Sequence, residues 1–302
     1  MTGERFSNMK KTVRKSTVVT DLQGKTVALT GSTGGIGNAL SRAIAEMGAS
    51  LILLDRNEEK AQAWAETLQR EFPGCRITRY TVDLSDMDAV KTTTESLKAL
   101  PIDILIHNAG AYSIPRCITS CGYDNVFTIN FLSPYYLTRA LLPQIRARSG
   151  KIIAVGSIAH RYSKTDEKDV DFRTRKRASL VYGNAKRYLM YAHLALNRQG
   201  MPPDIAVAHP GITFTGITAH YPKLIFAFIK YPMKVIFMKP EKACRPILAA
   251  VTDTLPHNGW IGPRIFEIWG KPKAAVLRSA DDEEKQYIES TAERIYTELA
   301  GE

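Results

Sequence analysis

Tyr182 and Lys186 stand four positions apart, with Ser157 ahead of them and a glycine-rich turn, Thr30 to Gly37, far upstream. On a helix, residues i and i+4 share a face. A neighbouring ammonium lowers the cost of a phenolate, so Lys186 is expected to draw the Tyr182 pKa down from about 10 toward the working range of an acid–base catalyst. The glycine turn follows an apolar run and opens a helical one. Glycines there let the backbone approach a pyrophosphate, and the helix N-terminus offers free N–H groups and the positive end of the helix dipole. The combination implies hydride transfer to or from a dinucleotide beside a proton-transferring phenol, which is alcohol–ketone chemistry that needs no metal.

The elements that must position these groups alternate regularly. Thr26 to Leu29, Leu51 to Leu54, Ile77 to Val82, Ile102 to Ile106, Lys151 to Val155 and Ile205 to Ala208 read as strands. Solid apolar runs such as Leu51 to Leu54 mark strands covered on both faces. Gly35 to Met47, Glu58 to Glu71, Ser85 to Leu100 (with Ser85 as N-cap), roughly Tyr123 to Arg148, and Leu180 to Gln199 read as helices. Repeated strand–helix units predict an α/β fold: one doubly wound parallel sheet of Rossmann type with helices on both faces and right-handed crossovers. The expected organisation is a basic N-terminal arm over residues 1–21 and a single domain over 22–302. Residues 159–179, dense in charge, are expected to form a long exposed connection. Gly259 to Gly270 is expected to be a last strand and its loop, with Trp260 and Trp269 in core or subunit contacts.

Composition narrows the classes. The chain has 302 residues, 44% apolar and 24% charged, as ordinary soluble domains have. Four cysteines, at 75, 117, 121 and 244, are too few and scattered for a disulfide scaffold, and Cys117 and Cys121 fit neither a zinc ribbon nor a redox pair. They read as free thiols of a reducing, cytoplasmic compartment. The net charge of +11 suits a surface that attracts dinucleotide phosphates, and no recognition motif supports nucleic-acid binding. No stretch reaches the roughly 18 uninterrupted apolar residues of a membrane span, although association with a membrane surface stays open. His160, His209 and His220 lack a second histidine or carboxylate at a metal-ligand offset, so no metal is expected.

Asp55 ends the second strand. There a carboxylate can accept hydrogen bonds from a ribose diol and repel a 2′-phosphate, which favours NAD(H); Arg56 beside it could instead hold that phosphate, which keeps NADP(H) possible. With these motifs in order, the sequence resembles the short-chain dehydrogenase/reductase family over about Leu22 to Lys273. Thr30, Gly31, Gly35 and Gly37 match its glycine turn, Asp83-Leu84 its adenine-side aspartate pair, and Asn108-Ala109-Gly110 its N-A-G motif. Asn130 matches its helix asparagine, Ser157 its substrate-orienting serine, and Tyr182-Gly183-Asn184-Ala185-Lys186 its Y-x-x-x-K. Pro210-Gly211 with Thr213 and Thr215 matches the region that touches the nicotinamide amide. The resemblance implies that Asn130, Ser157, Tyr182 and Lys186 are catalytic. It implies that Gly31, Thr33, Gly35, Ile36, Gly37, Asp55, Arg56, Asp83, Leu84, Asn108, Ala109, Gly110, Tyr182, Lys186, Pro210, Gly211, Thr213 and Thr215 line the cofactor. It also implies a homodimer or homotetramer joined through the long fourth and fifth helices. His107 and Gly156 depart from the usual pattern, and the charged insertion after Ser157 looks like retinol- and hydroxysteroid-dehydrogenase members.

Residues 212–240 are expected to form a substrate lid, since 221–239 carry three phenylalanines, two tyrosines and two methionines. Such a lid suits a small lipophilic substrate. By resemblance to bacterial hydroxysteroid dehydrogenases, including those of 20β specificity, a hydroxysteroid comes first; a retinoid or other lipophilic alcohol comes second. A catalytically idle dinucleotide-sensing scaffold is the alternative from another class, against which the intact Ser157, Tyr182 and Lys186 weigh.

Overall fold

The computed structural model describes residues 21–199, 204–211, 238–253 and 259–301. The N-terminal arm, Thr213, Thr215, His220 and nearly all of the expected lid lie outside the described residues.

Strands β1 (Thr26–Thr30), β2 (Ser50–Asp55), β3 (Ile77–Thr81), β4 (Ile104–His107), β5 (Lys151–Val155), β6 (Asp204–Ala208), β7 (Gly259–Ile265) and β8 (Trp269–Val276) form one sheet in the order β3-β2-β1-β4-β5-β6-β7-β8. Neighbours pair in parallel as far as β7, and β8 returns antiparallel. The strand order reverses between β1 and β4, which opens a crevice at the carboxyl ends of the strands. Alternate residues of each buried strand serve opposite layers. Val27 and Leu29 pack into one core and Ala28 into the other; Leu51 and Leu53 join the first, Ile52 and Leu54 the second. That period of two is why the central strands read as unbroken apolar text.

Helices α1 (Gly35–Glu46), α2 (Glu58–Glu71), α3 (Met87–Lys98), α5 (Ser133–Ala147), α6 (Ala178–Ala195), α8 (Arg245–Thr252) and α9 (Asp282–Ala300) cover the faces, with short helical turns α4 (Asn125–Phe127) and α7 (Pro240–Ala243). Asp86, not Ser85, caps α3, accepting from Asp88 N at 3.0 Å and Ala89 N at 3.2 Å. Ser85 is instead held by the preceding Asp83, which takes both its N–H and its hydroxyl.

Three further expectations are corrected. The helix expected over Tyr123 to Arg148 is interrupted by a wide π turn at Thr128–Leu132. The Asn130 amide donates to the Val126 carbonyl at 2.8 Å, competing for an acceptor the α-helical ladder would use, and the turn expands around it. The 159–179 connection is not a solvated strand of charge. Asp171 is 2% exposed and accepts the Asp124 N–H at 2.7 Å, Phe172 is buried, and the Asn184 amide donates to the Val170 carbonyl. Arginines between the acids let the segment pair its own charges: Arg173 with Asp171, Arg175 with Asp166. The expected last strand and its loop are a hairpin of two strands, β7 and β8, within which Trp260 sits in the core, as expected, at 3% exposure.

Pairing through α5 and α6 also meets an obstacle. The C-terminal helix α9 already covers them. Glu293 takes a hydrogen bond from the Tyr135 hydroxyl and an ion pair from Arg139 at 2.9 Å, Tyr296 packs on Tyr136, and Tyr287 on Tyr188. A partner docking there would have to displace α9.

Candidate functional site

The glycine turn joins β1 to α1 at the crevice. Gly31 adopts φ +71°, and a Cβ there would lie 2.9 Å from Ala109 Cα; a Cβ on Gly37 would meet the Gly31 carbonyl oxygen at 2.0 Å. Only glycine satisfies both demands. Gly34 caps α1 without a side chain and the first helical turn has no acid, so the N–H groups and dipole face an open approach through Gly35 and Ile36. That is a cradle of the kind a dinucleotide pyrophosphate occupies. The N-A-G segment braces it: Asn108 Nδ2 donates to the carbonyls of Thr30 at 3.1 Å and Gly31 at 3.0 Å, and the Ala109 N–H donates to Thr30 Oγ1.

Asp55 is engaged by the glycine turn itself. It is 2% exposed, and its carboxylate accepts from Ser32 Oγ at 2.5 Å and from Thr33 N and Oγ1 at 3.0 Å each. Three donors of the glycine turn thus claim the oxygens expected to face a ribose diol, because the serine and threonine of the turn point back at the end of β2. Arg56 next to it is exposed. Asp83 and Leu84 lie at the end of β3's connection, Asp83 half-buried and Leu84 buried.

Ser157 follows β5 and opens a short 3₁₀ turn, Ile158–Arg161, accepting the Ala159 N–H at 3.2 Å. Tyr182 and Lys186 project from α6. The Ser157 hydroxyl hydrogen-bonds the Tyr182 phenol, and the Lys186 ammonium lies 5.7 Å from the Tyr182 ring centre. Lys186 Nζ donates to the Val155 carbonyl at 3.0 Å. A Cβ on Gly110 would sit 2.8 Å from Asn130 Oδ1 and 3.4 Å from Lys186 Nζ, so the N-A-G turn, the π turn and α6 converge on one spot. Asn130 is fixed by donating to the Ala111 carbonyl at 2.8 Å and accepting its N–H at 3.2 Å. Pro210 and Gly211 follow β6 on the same edge, with Gly211 at φ +82°. The structure therefore brings together Asn130, Ser157, Tyr182, Lys186 and the glycine turn.

The electrostatics run opposite to the expectation. Burial pushes Tyr182 up to about 12, against the opposing hydrogen bond from Ser157, and pulls Lys186 down to about 7. The phenol is raised first by its own burial and further by Tyr112 beside it; Lys186 is desolvated as well, so it holds its proton weakly. Ribose hydroxyls are the natural additional partners for an ammonium with one acceptor among the described residues, which fits a bound dinucleotide.

Burial disfavours the charged form of the buried histidines. Desolvation holds His107 well below its usual value and brings His193 down to about 4. Both contact the Thr138 hydroxyl, at 2.7 and 3.0 Å, which accounts for histidine at position 107. His160 Nδ1 donates to the Ser157 carbonyl at 2.6 Å, and His209 stacks on Trp260 at 5.4 Å.

Two neighbours of the site escaped the sequence reading. Tyr112 packs edge-on against Tyr182 at 5.3 Å, and its only signal was an aromatic two residues past N-A-G. Arg187 is 2% exposed; it donates to Glu284 from Nε at 2.7 Å, to the His160 carbonyl at 2.9 Å and to the Ser279 carbonyl at 2.6 Å. A full charge beside Lys186 on an otherwise apolar helix was the available hint.

Comparison with known proteins agrees with this geometry. The family profile described as short chain dehydrogenase matches residues 25–166. Polyprenol dehydrogenase of Mus musculus is 26% identical over 87% of this chain and 81% of its own. Retinol dehydrogenase 13 of Homo sapiens is 28% identical over 92% and 84%. Short-chain dehydrogenase TIC 32 A, chloroplastic, of Brassica napus is 30% identical over 66% and 67%. Among solved structures, an uncharacterized protein from Mycobacterium paratuberculosis superposes with TM-score 0.74 at 24% identity, covering 92% of this chain and 95% of that one. L-sorbose reductase from Gluconobacter frateurii, complexed with NADPH and L-sorbose, does so with TM-score 0.61 at 22% identity, covering 78% and 92%. By its motifs, its sheet and these relatives, the chain belongs to the short-chain dehydrogenase/reductase family of oxidoreductases.

Proposed function

We propose that the chain interconverts a lipophilic alcohol and its carbonyl compound, with Tyr182 as the proton-transferring acid or base. The observation that carries this is the convergence of Ser157, Tyr182, Lys186 and Asn130 beside Gly110 and the glycine turn. When bound, a nicotinamide dinucleotide supplies or receives the hydride. Ser157 and Tyr182 hold the substrate oxygen between them. Tyr182 gives its proton to that oxygen during reduction and takes one during oxidation. Lys186 holds ribose hydroxyls and, once charged by that contact, stabilises the tyrosinate. Asn130 orders the turn beneath Lys186.

The glycine cradle, the open N-terminus of α1 and Lys186 would hold the dinucleotide. Asp55 is engaged by Ser32 and Thr33, and Arg56 is exposed beside it; this supports use of NADP(H) as well as NAD(H), rather than the NAD(H) preference expected from Asp55 alone. The relatives named polyprenol dehydrogenase and retinol dehydrogenase, together with the aromatic text of 221–239, support an isoprenoid alcohol as the first substrate class and a hydroxysteroid as the second.

The test is a panel of isoprenoid alcohols, hydroxysteroids and small ketones with both dinucleotides, run on the wild type and on Tyr182→Phe. The variant is expected to lose turnover by a factor on the order of 10² to 10⁴ while keeping dinucleotide binding. Retained turnover removes Tyr182 from its role.

A further inference from the structure

We infer that the tip of the β7–β8 hairpin docks the protein on an anionic lipid surface, with Phe266 as its apolar anchor. The turn Ile265-Phe266-Glu267-Ile268 is closed by the Ile268 N–H donating to the Ile265 carbonyl at 2.9 Å. Both central residues have positive φ, +50° at Phe266 and +58° at Glu267. Hairpin turns of this hand are ordinarily filled by Asn-Gly or Asp-Gly, which tolerate the left-handed region; a phenylalanine there is strained. The strain is not offset by burial, because Phe266 is 82% exposed, the highest figure among the exposed large apolar side chains of the described residues. Strained backbone kept at a site suggests a use for the side chain it presents.

The surroundings say what that use is. Ile265 and Tyr162, at 50% and 55% exposure, are further apolar side chains at this corner, and the Arg161–Glu267 ion pair at 2.7 Å ties the segment carrying Tyr162 to the turn. Along the two strands behind the turn the hairpin exposes Arg264, Lys271 and Lys273, and its one acid, Glu267, is spent on Arg161. An aromatic tip on a hairpin whose unpaired exposed charges are basic suits the headgroup region of an anionic bilayer. A second copy of the chain fits worse, since a two-fold contact would set the same three cations against themselves.

Placement supports the inference independently. β7 runs parallel to β6, so its carboxyl end lies on the crevice edge of the sheet. The Ile268 carbonyl closes on Gly211, where an added Cβ would lie 2.7 Å away, and Arg161 belongs to the turn opened by Ser157. Docking by this tip sets the candidate site against the bilayer, where a lipophilic alcohol concentrates.

The experiment is sedimentation of the full chain with phosphatidylcholine vesicles and with phosphatidylcholine–phosphatidylserine vesicles. Binding is expected to the second far more than to the first, and to fall with salt. Phe266→Asn should weaken that binding by on the order of tenfold, with a melting temperature unchanged or raised by about 2 °C as the left-handed strain is relieved. Lys271→Gln with Lys273→Gln should weaken it by roughly 25-fold, about fivefold per basic residue. Equal binding to the two vesicle types overturns the proposal, as does Phe266→Asn binding like the wild type. A wild-type dimer that Phe266→Asn converts to monomer would assign the tip to a second copy and overturn it equally. None of these readouts needs turnover, so failure here is separable from failure of the proposed reaction.

Discussion

Arg187→Met should destabilise the fold more than its place beside the site suggests. Arg187 and Glu284 are 2% and 8% exposed, and they pair through two hydrogen bonds, one of them at 2.7 Å. Removing one partner of a buried pair costs about 3–5 kcal/mol, because a carboxylate is left dry. Glu284 keeps donors from Thr165 N at 2.9 Å and Thr165 Oγ1 at 3.2 Å, which places the cost at the lower end, about 3 kcal/mol. At about 2–4 °C per kcal/mol for a chain of this size, melting should fall by roughly 6–12 °C. Arg187→Met with Glu284→Leu removes the stranded charge, so the double variant should recover at least about 1 kcal/mol over Arg187→Met alone, although the His160 and Ser279 carbonyls still lose their donor. Acid should narrow the gap. Burial pushes Glu284 up, but hydrogen bonds from Arg187 and Thr165 outweigh it and hold the carboxyl below its usual range. Its folded pKa therefore lies under the unfolded value of about 4.3; the stabilisation is complete above that pH and is lost as pH falls through the folded value. Urea denaturation of the wild type, both singles and the double, at pH 7 and near pH 4, measures all of this. A cost for Arg187→Met below about 1 kcal/mol, or a double variant equal to the sum of its singles, refutes the reasoning.

Other outcomes follow from the same structure. Because burial lowers Lys186 to about 7, the unfolded chain binds a proton that the folded chain lacks between pH 7 and 10; stability of the dinucleotide-free protein should rise with pH over that window, and Lys186→Met should flatten the rise in a denaturation series. Gly37→Ala places a methyl 2.0 Å from the Gly31 carbonyl oxygen and should weaken NAD(P)H binding by on the order of tenfold or more, read by fluorescence titration. With α9 packed over α5 and α6, sedimentation velocity should report a single 302-residue chain. A dimer with deuterium protection gained on α5 would show that α9 moves aside.

The parallel sheet and the crevice were legible because their causes are local. Apolar runs such as Leu51 to Leu54, and glycines at 31 and 37, carry the strand and the turn in their own text, and spacing alone puts Tyr182 and Lys186 on one helical face. What spacing could not supply was solvent. The same four-residue interval promised an acidified phenol, but burial of the Tyr182 phenol itself raises its pKa while burial of Lys186 lowers that of the ammonium, and burial is a property of what packs around α6. The hydrogen bonds that Ser32 and Thr33 donate to Asp55 were likewise invisible in the spacing.

The order of motifs along the chain thus determined the fold class, the crevice and the set of groups that meet there, since each motif encodes its own strand end or helix face. The pairing of Arg187 with Glu284, the covering of α5 by α9 and the exposed, strained Phe266 were decided only in three dimensions. Each depends on residues far apart in sequence, or on which neighbours leave a side chain in water, and a one-dimensional pattern contains neither.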